Sequence, residues 1–358
     1  MSGCRKCFHF EAAWLQEPEC EDIVTKSWST PGRLEEKIEF ISTQLSLWGR
    51  LFGQAARDRI EEFSSCLKSC GVTTDSQACA LRDKAELSKL IIQEEIFWKQ
   101  HSKDLWLKEG DRNFSFFHAK ASQRHHVNSI RRLRKSDGEW TESAEGVQQC
   151  ILEYFQKVFT SNRPLPDDIL SGTEHLPTVV HSEMAEDLQR PYTETEVTKA
   201  LFSMSPLKSP APDGMPPLFY QKFWHVVQSD VISCVLVFLN CCILPSGFNA
   251  TNIVLIPKCK QSQSLILYRP INLCNVVYKI ASKTIANRLK PWLDRIISPS
   301  QCACVSRRLI TDNVLLAFKT NHFLHTYSKG RKYFMNLKFD ISKAYDRVGI
   351  VIPLDGVG

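Results

Sequence analysis

The sequence predicts a chain of α+β class. Three observations predict it. Apolar residues recur at helical spacing through most of the first 160 residues, as in Leu34, Ile38, Ile41, Leu45 and Trp48, spaced 4, 3, 4 and 3. Two later stretches read as strands: the β-branched run Asn252-Ile-Val-Leu-Ile-Pro257, and Phe334–Asp340, where Met335, Leu337 and Phe339 alternate with Asn336, Lys338 and Asp340. Between these two regimes lies a Pro-rich polar stretch at 161–180, which reads as a linker.

Composition sets the bounds. The chain has 358 residues, 43% hydrophobic and 23% charged, enough for two or three ordinary globular domains. A formal net charge of +6 suits a polyanionic partner without requiring one. Fourteen cysteines are too sparse for a small disulfide scaffold, and several (Cys234, Cys241, Cys242) sit in apolar runs as reduced core thiols. Cys4-x-x-Cys7 has no second pair at zinc-finger spacing. Residues 1–20 carry charges and no apolar core of signal-peptide length. The most apolar stretch, Val231–Leu244, is too short to span a bilayer and fits a buried helix. A soluble, intracellular chain with no membrane partner is expected.

In chain order, a helix is expected from Pro31, with proline in its first turn. A second runs from about Ser76 to Lys108, with Leu87, Leu90, Ile91, Phe97 and Trp98 on its apolar side. Gly71–Asp75 is the turn that makes the two antiparallel. A further helix covers about Ala144–Phe159, carrying Val147, Ile151, Phe155 and Val158. Thr193-Glu-Thr-Glu196 is a capping box that opens the next, with Val197, Leu201 and Met204 inside. Pro216–Trp224 continues as helix, and Asn275–Ile297 reads as one amphipathic helix with Lys279, Lys283, Arg288 and Lys290 off its apolar face.

Residues 106–140 place aromatics (Trp106, Phe114, Phe116, Phe117) ahead of a basic run that holds Lys120, Arg124, Arg131, Arg132, Arg134 and Lys135, with Arg112 among the aromatics. Rings stack on bases and cations track phosphates, so this pattern suits single-stranded nucleic acid. An equal alternative is a solvated helix face followed by a hairpin turning at Asp137-Gly138. Lys258 ends the Asn252 strand, and Tyr268-Arg269-Pro270-Ile271 opens the next segment. A hairpin with one cation on each arm can grip a triphosphate, since Arg offers a fork of donors and Lys a point charge. Taken alone, both are surface charges. Asp340, alone, is a strand-end helix cap or surface charge; a carboxylate there also suits a hard cation such as Mg²⁺.

Several motifs, in order, resemble one family. Phe339-Asp-Ile-Ser-Lys-Ala-Tyr-Asp-Arg-Val348 closely resembles the first catalytic motif of reverse transcriptases from plant non-LTR (LINE-type) retrotransposons. Phe10-Glu-Ala-Ala-Trp14 and Trp106-Leu-Lys-Glu-Gly-Asp-Arg112-Asn resemble segments that precede the polymerase domain of these elements. Lys208-Ser-Pro-Ala-Pro-Asp213-Gly214 resembles the Lys-x-Pro-Gly-Pro-Asp-Gly signature at the domain entry. Ala211 stands in place of the signature's glycine, where a positive φ is expected. Gln301–Ile310 resembles the template-handling loop, whose usual form is Gln-Ser-Ala-Phe-Val-Pro-Gly-Arg-Leu-Ile; here Cys304 replaces Phe, Ser306 replaces Pro and Arg307 replaces Gly.

The resemblance implies a helical N-terminal extension followed by a partial right-hand polymerase: fingers and the first part of the palm. The implied division is 1–160 extension, 161–190 linker, 191–348 partial polymerase domain and 349–358 aberrant tail. The implied activity is RNA-directed DNA polymerisation, a nucleotidyl transfer in which two Mg²⁺ assist attack of a primer 3′-OH on a deoxynucleoside triphosphate. Asp340 is then the catalytic metal ligand. Lys258 and Arg269 bind the nucleotide's phosphates, and Tyr345 lies under its sugar, where a ring leaves little room for a 2′-OH. Arg112, Lys120, Arg124, Arg131, Arg132, Arg134, Lys135, Gln301 and Arg308 contact RNA template or DNA primer. The expected location is nucleus or cytoplasm.

The same resemblance requires a second metal motif, an Asp-Asp pair beyond the first. The only Asp-Asp is Asp167-Asp168, in the linker. A truncated enzyme that retains nucleic-acid affinity but little catalysis is therefore expected. The alternative is a non-enzymatic helical interaction module, or a pseudogene product without a role.

Overall fold

The computed structural model describes residues 8–69, 74–103, 114–135, 138–160, 167, 171, 179–259, 262–303, 305–327 and 334–339. They divide into two units. The first comprises residues up to 129, 191–262 and 266–285; the second comprises 130–190, 263–265 and 286 onward.

The first unit is mostly helical. After a 3-10 turn at Ala12–Gln16 come α1 (Pro18–Trp28), α2 (Leu34–Ser69), α3 (Thr74–Ser102) and α4 (Phe114–Asn128). Helix α2 starts three residues later than Pro31. The Glu36 carboxylate folds back to accept the Arg33 amide at 3.0 Å, so the helix is capped at Arg33. Helices α2 and α3 pack together, with an exposed Arg59–Glu86 ion pair at 3.8 Å. The expected Gly71–Asp75 turn lies largely outside the described residues.

The N-terminal strand of backbone is held by α3. Gln100, nearly fully buried, donates from Nε2 to the Phe10 carbonyl at 2.8 Å and accepts the Ala12 amide at 2.7 Å. This pairing satisfies two backbone groups that burial would otherwise strand. Phe10 sits at the centre of a ring cluster, edge-on to Trp14, Phe219 and Phe223 at 5.5, 5.5 and 6.2 Å. Trp14 in turn lies against Gly49, where a Cβ would be 2.4 Å from its ring.

Four more helices close this core. Helix α7 (Glu194–Phe202) opens with the expected capping box, in which Glu196 accepts the Thr193 amide at 3.0 Å, and it buries Val197 and Leu201. Pro216–Trp224 does not continue as one helix: α8 (Pro217–Lys222) ends at Phe223, and α9 (Trp224–Cys241) begins there. Helix α9 buries Val227, Val231 and Val235, one stripe at i, i+4 and i+8. By length and composition it is the one described helix apolar enough to cross a membrane; its valines instead join the core of this unit. Asp230, off that stripe, accepts from Trp28 Nε1 at 2.8 Å and Lys37 Nζ at 2.7 Å, tying α9 to α1 and α2. Helix α10 (Val276–Leu289) adds Val276, Val277 and Ile280.

The expected two-arm hairpin is present. Strand β3 (Thr251–Pro257) pairs antiparallel with β4 (Tyr268–Cys274), in register from Thr251↔Cys274 to Pro257↔Tyr268.

The second unit holds a short hairpin, β1 (Leu133–Arg134) with β2 (Trp140–Thr141), then α5 (Ala144–Phe159) and α6 (Ser182–Gln189). Gly138, at φ +92, turns the hairpin, as expected of Asp137-Gly138. Ser143 caps α5 by accepting the Gly146 amide at 3.0 Å. The Pro-rich linker lies mainly outside the described residues.

Asn275–Ile297 is not one helix. It breaks at the 3-10 turn Lys290–Trp292, before α11 (Leu293–Ile296), because Pro291 supplies no amide. Arg288 is not on a solvated face either. It is buried and donates to the carbonyls of Leu188 and Arg190 at the end of α6, where orphan carbonyls favour a cation. Asp187 anchors the same corner through Trp292 Nε1 at 2.8 Å and Arg190 Nε at 3.0 Å; these bonds hold its carboxyl below the usual range.

Last comes α12 (Ile310–Thr326), none of whose residues is buried. Residues 334–339, expected as a strand, pair with no other strand among the described residues. Phe334 packs edge-on to Tyr327 at 5.4 Å, and Asn336 donates to Asn321 Oδ1 at 3.0 Å, but Phe339 is 85% exposed. A strand needs a neighbour to satisfy its backbone, and among the described residues this segment is held by side-chain contacts.

Candidate nucleotide and nucleic-acid sites

The β3–β4 hairpin positions two cations. Arg269 lies directly opposite Ile256, and the Lys258 amide donates to the Leu267 carbonyl at 2.8 Å, which extends the pairing one residue past Pro257. Lys258 and Arg269 are thus diagonal neighbours on the same face, a separation of about 7–8 Å between backbones. Both side chains are exposed, and neither is ion-paired among the described residues. Tyr268, alternating to the other face, is buried, and its hydroxyl donates to the Ser262 carbonyl at 3.0 Å, which braces the arm on which Arg269 stands.

The entry turn is built around Gly214, not Ala211. Gly214 has φ +71, and a Cβ there would lie 2.1 Å from the Phe8 carbonyl oxygen. Ala211 has no positive φ; it is buried and its carbonyl accepts the Gly214 amide at 3.0 Å. The expectation of a left-handed position at Ala211 is therefore corrected: its methyl packs into the core. Asp213 Oδ1 accepts the Met215 amide at 3.1 Å. Burial pushes its carboxyl up to about 6, against the opposing pull of that amide and of Lys279. The turn is a packing junction, with Lys279 Nζ donating to the Ser209 carbonyl at 3.4 Å.

In the loop at 297–308, Arg308 is the organising residue. Its guanidinium donates to the carbonyls of Ser298 (2.6 Å), Gln301 (2.8 Å), Ile297 (3.2 Å) and Asp294 (3.4 Å), and it pairs with the Asp294 carboxylate at 3.4 Å. The fork is committed to its own loop, and what it presents outward is Gln301, which is exposed. Arg307, where the family pattern has glycine, adopts φ +66. The backbone keeps the left-handed conformation that glycine suits, now with a side chain on it.

The basic stretch falls into both units. In the first, Phe117 is buried and Phe116 carries Lys120 Nζ at 5.7 Å from its ring. Arg124 is exposed but donates to the Ser102 carbonyl at 3.2 Å, at the end of α3. In the second, Arg131, Arg132, Arg134 and Lys135 are all exposed around β1. Arg134 Nε donates to the Gly138 carbonyl at 3.1 Å, and Arg132 makes a long 3.7 Å pair with Glu142. The hairpin expected at Asp137-Gly138 thus forms, and the cations around its first strand are exposed. Arg112, Asp340 and Tyr345 lie outside the described residues, and among the described residues no group of three His, Cys, Asp or Glu converges to hold a metal. Sequence reasoning passed over Trp140, whose signal was its place opposite Arg134 across a two-stranded turn.

Residues 256–353 match the family of reverse transcriptases (RNA-dependent DNA polymerases), a span that takes in Lys258, Arg269, Gln301, Arg308, Asp340 and Tyr345. The chain is also 31% identical over 238 residues to a protein of Xenopus laevis described as the transposon TX1 uncharacterized 149 kDa protein. That alignment covers 66% of this chain and 18% of the relative, so the chain spans only a small part of the relative's length. Both similarities support a reverse transcriptase of a transposon.

Proposed function

We propose that these residues form the front part of a non-LTR (LINE-type) retrotransposon reverse transcriptase, from the extension ahead of the polymerase domain to its first catalytic motif, which most resembles plant elements. The observation that carries this reading is the β3–β4 hairpin. Within the span similar to reverse transcriptases, it offers Lys258 and Arg269 on one exposed face, free of carboxylate partners among the described residues. A guanidinium fork beside an ammonium fits a deoxynucleoside triphosphate. Tyr345 lies under the sugar in this reading. Asp340 is the ligand for Mg²⁺, which when bound polarises the phosphoryl group under attack; that assignment rests on the motif around Asp340. RNA template and DNA primer are the partners, held by the exposed cations of α4 and β1 and by the Gln301 loop that Arg308 sets. Arg308 itself is a positioning residue. A polymerase acting on cellular RNA works inside the cell, in solution.

A two-metal transfer needs carboxylates from more than one strand. No Asp-Asp pair occurs in residues 341–358. The 358 residues by themselves therefore bind nucleic acid without extending a primer. A primer-extension assay on an RNA template, with Mg²⁺ and with Mn²⁺, run beside an RNA-binding titration, tests this. Binding without extension is expected. Template-dependent incorporation that disappears in Asp340→Ala overturns the loss of catalysis, and no binding at low salt overturns the reading itself.

A further inference from the structure

The β1–β2 hairpin has one buried and one open face. Leu133 and Thr141, directly paired, are buried; Arg134 and Trp140, the next pair, point the other way. Arg132, two residues before Arg134, shares the open face, and its guanidinium sits 4.6 Å from the centroid of the Trp140 ring. The ring is still 42% exposed. A tryptophan on an open face, flanked by two guanidiniums, does nothing for the core. Its hairpin is nevertheless fixed from beneath by Leu133, and from the side by the Arg134 amide, which donates to the Gln263 carbonyl at 2.8 Å. The exposed charges of this hairpin are mostly positive: Arg132, Arg134 and Lys135, against Glu142, in its long pair with Arg132, and Glu139, whose backbone carbonyl accepts the Lys135 amide at 2.8 Å.

We propose that Trp140 is a base-stacking platform for single-stranded nucleic acid, with Arg132 and Arg134 holding the phosphates on either side of the stacked nucleotide. The inference deepens the nucleic-acid reading above and rests on it. The chemistry is that of sequence-tolerant strand binding: every base has a π face, and the cations follow the backbone. A duplex, whose bases are already stacked, offers nothing to the ring. A bare cation patch, by contrast, would bind duplex as well as single strands.

The test uses the full chain and fluorescence anisotropy with a labelled 12-nucleotide RNA, a DNA of the same sequence and the corresponding duplex. Trp140→Leu keeps an apolar side chain at an already exposed position but removes the aromatic face. It should weaken binding of both single strands about tenfold, at the lower end of what one base–ring stack contributes, and leave duplex binding and the salt slope unchanged. Trp140→Phe should recover most of the loss, which a structural role met equally by leucine would not require. If wild type binds single strands and Trp140→Leu binds them equally well, the platform is wrong while the nucleic-acid reading stands. If Trp140→Leu weakens duplex and single strands alike, the ring acts only by supporting the cations, and the proposal falls. If wild type binds none of the three, both readings fall together.

Discussion

Gly214 lies against the Phe8 carbonyl so closely that a Cβ would stand 2.1 Å from that oxygen, and Gly214 also accepts the Phe10 amide at 3.0 Å. The turn at 211–214 and residues 8–10, the first described, are thus one packed junction. Gly214→Ala combines a left-handed backbone, which costs about 1–2 kcal/mol, with a backbone clash. Destabilisation of about 3 kcal/mol or more in urea unfolding is expected. Ala211→Gly, at the position where the signature has glycine, should also destabilise, by about 1 kcal/mol, since its φ is not positive and a buried methyl is lost.

Arg307 gives the opposite expectation. With φ +66 it bears a side chain where the backbone suits glycine. Arg307→Gly should stabilise by about 1 kcal/mol, read as a raised urea midpoint. Arg308→Ala, next door, should cost about 1–2 kcal/mol, because the loop loses one donor shared by the carbonyls of Ile297, Ser298 and Gln301, of which only the Ile297 bond is part-buried. Arg308→Lys should restore less than half of that loss, as one ammonium cannot reach all of them.

Asp213 sets a pH dependence. Its folded-state value, about 6, lies above the ordinary 3.8, so between those values the folded chain holds the extra proton. Stability is then fully present below about pH 4 and falls as pH rises through 6, by at most about 3 kcal/mol. Asp213→Asn should be more stable than wild type at pH 8 and close to it at pH 4. Equal pH profiles for the two proteins would count against the burial of this carboxyl.

The parts that were legible in the sequence are those fixed by near neighbours. The Thr193–Glu196 capping box, the Asp137-Gly138 turn and the Lys258/Arg269 hairpin each need only a few adjacent residues. What was not legible depends on distant partners. Arg288 read as a cation off the apolar face and Arg308 as a nucleic-acid contact, yet the carbonyls that hold them belong to helix ends and loops that only tertiary packing brings near. Gln100, 90 residues from the Phe10 carbonyl it holds, left no local trace. The 334–339 alternation is strand-like, but a ladder requires a partner strand, which no periodicity supplies. Pro291 was visible, and its effect was underestimated because the apolar spacing runs straight through it.

In the proposed function, the exposed cations of this chain meet nucleic-acid phosphates. The most direct measurement is the affinity for a single-stranded RNA as a function of salt, for wild type and for a variant with Arg131, Arg132, Arg134 and Lys135 all changed to Ala. Each phosphate neutralised adds about 0.7 to the log–log slope on single strands. Steep salt dependence is expected in wild type and a slope reduced by up to about 3 in the variant, with weaker binding at every salt concentration. An unchanged slope and affinity would contradict it, and would make this stretch a solvated surface.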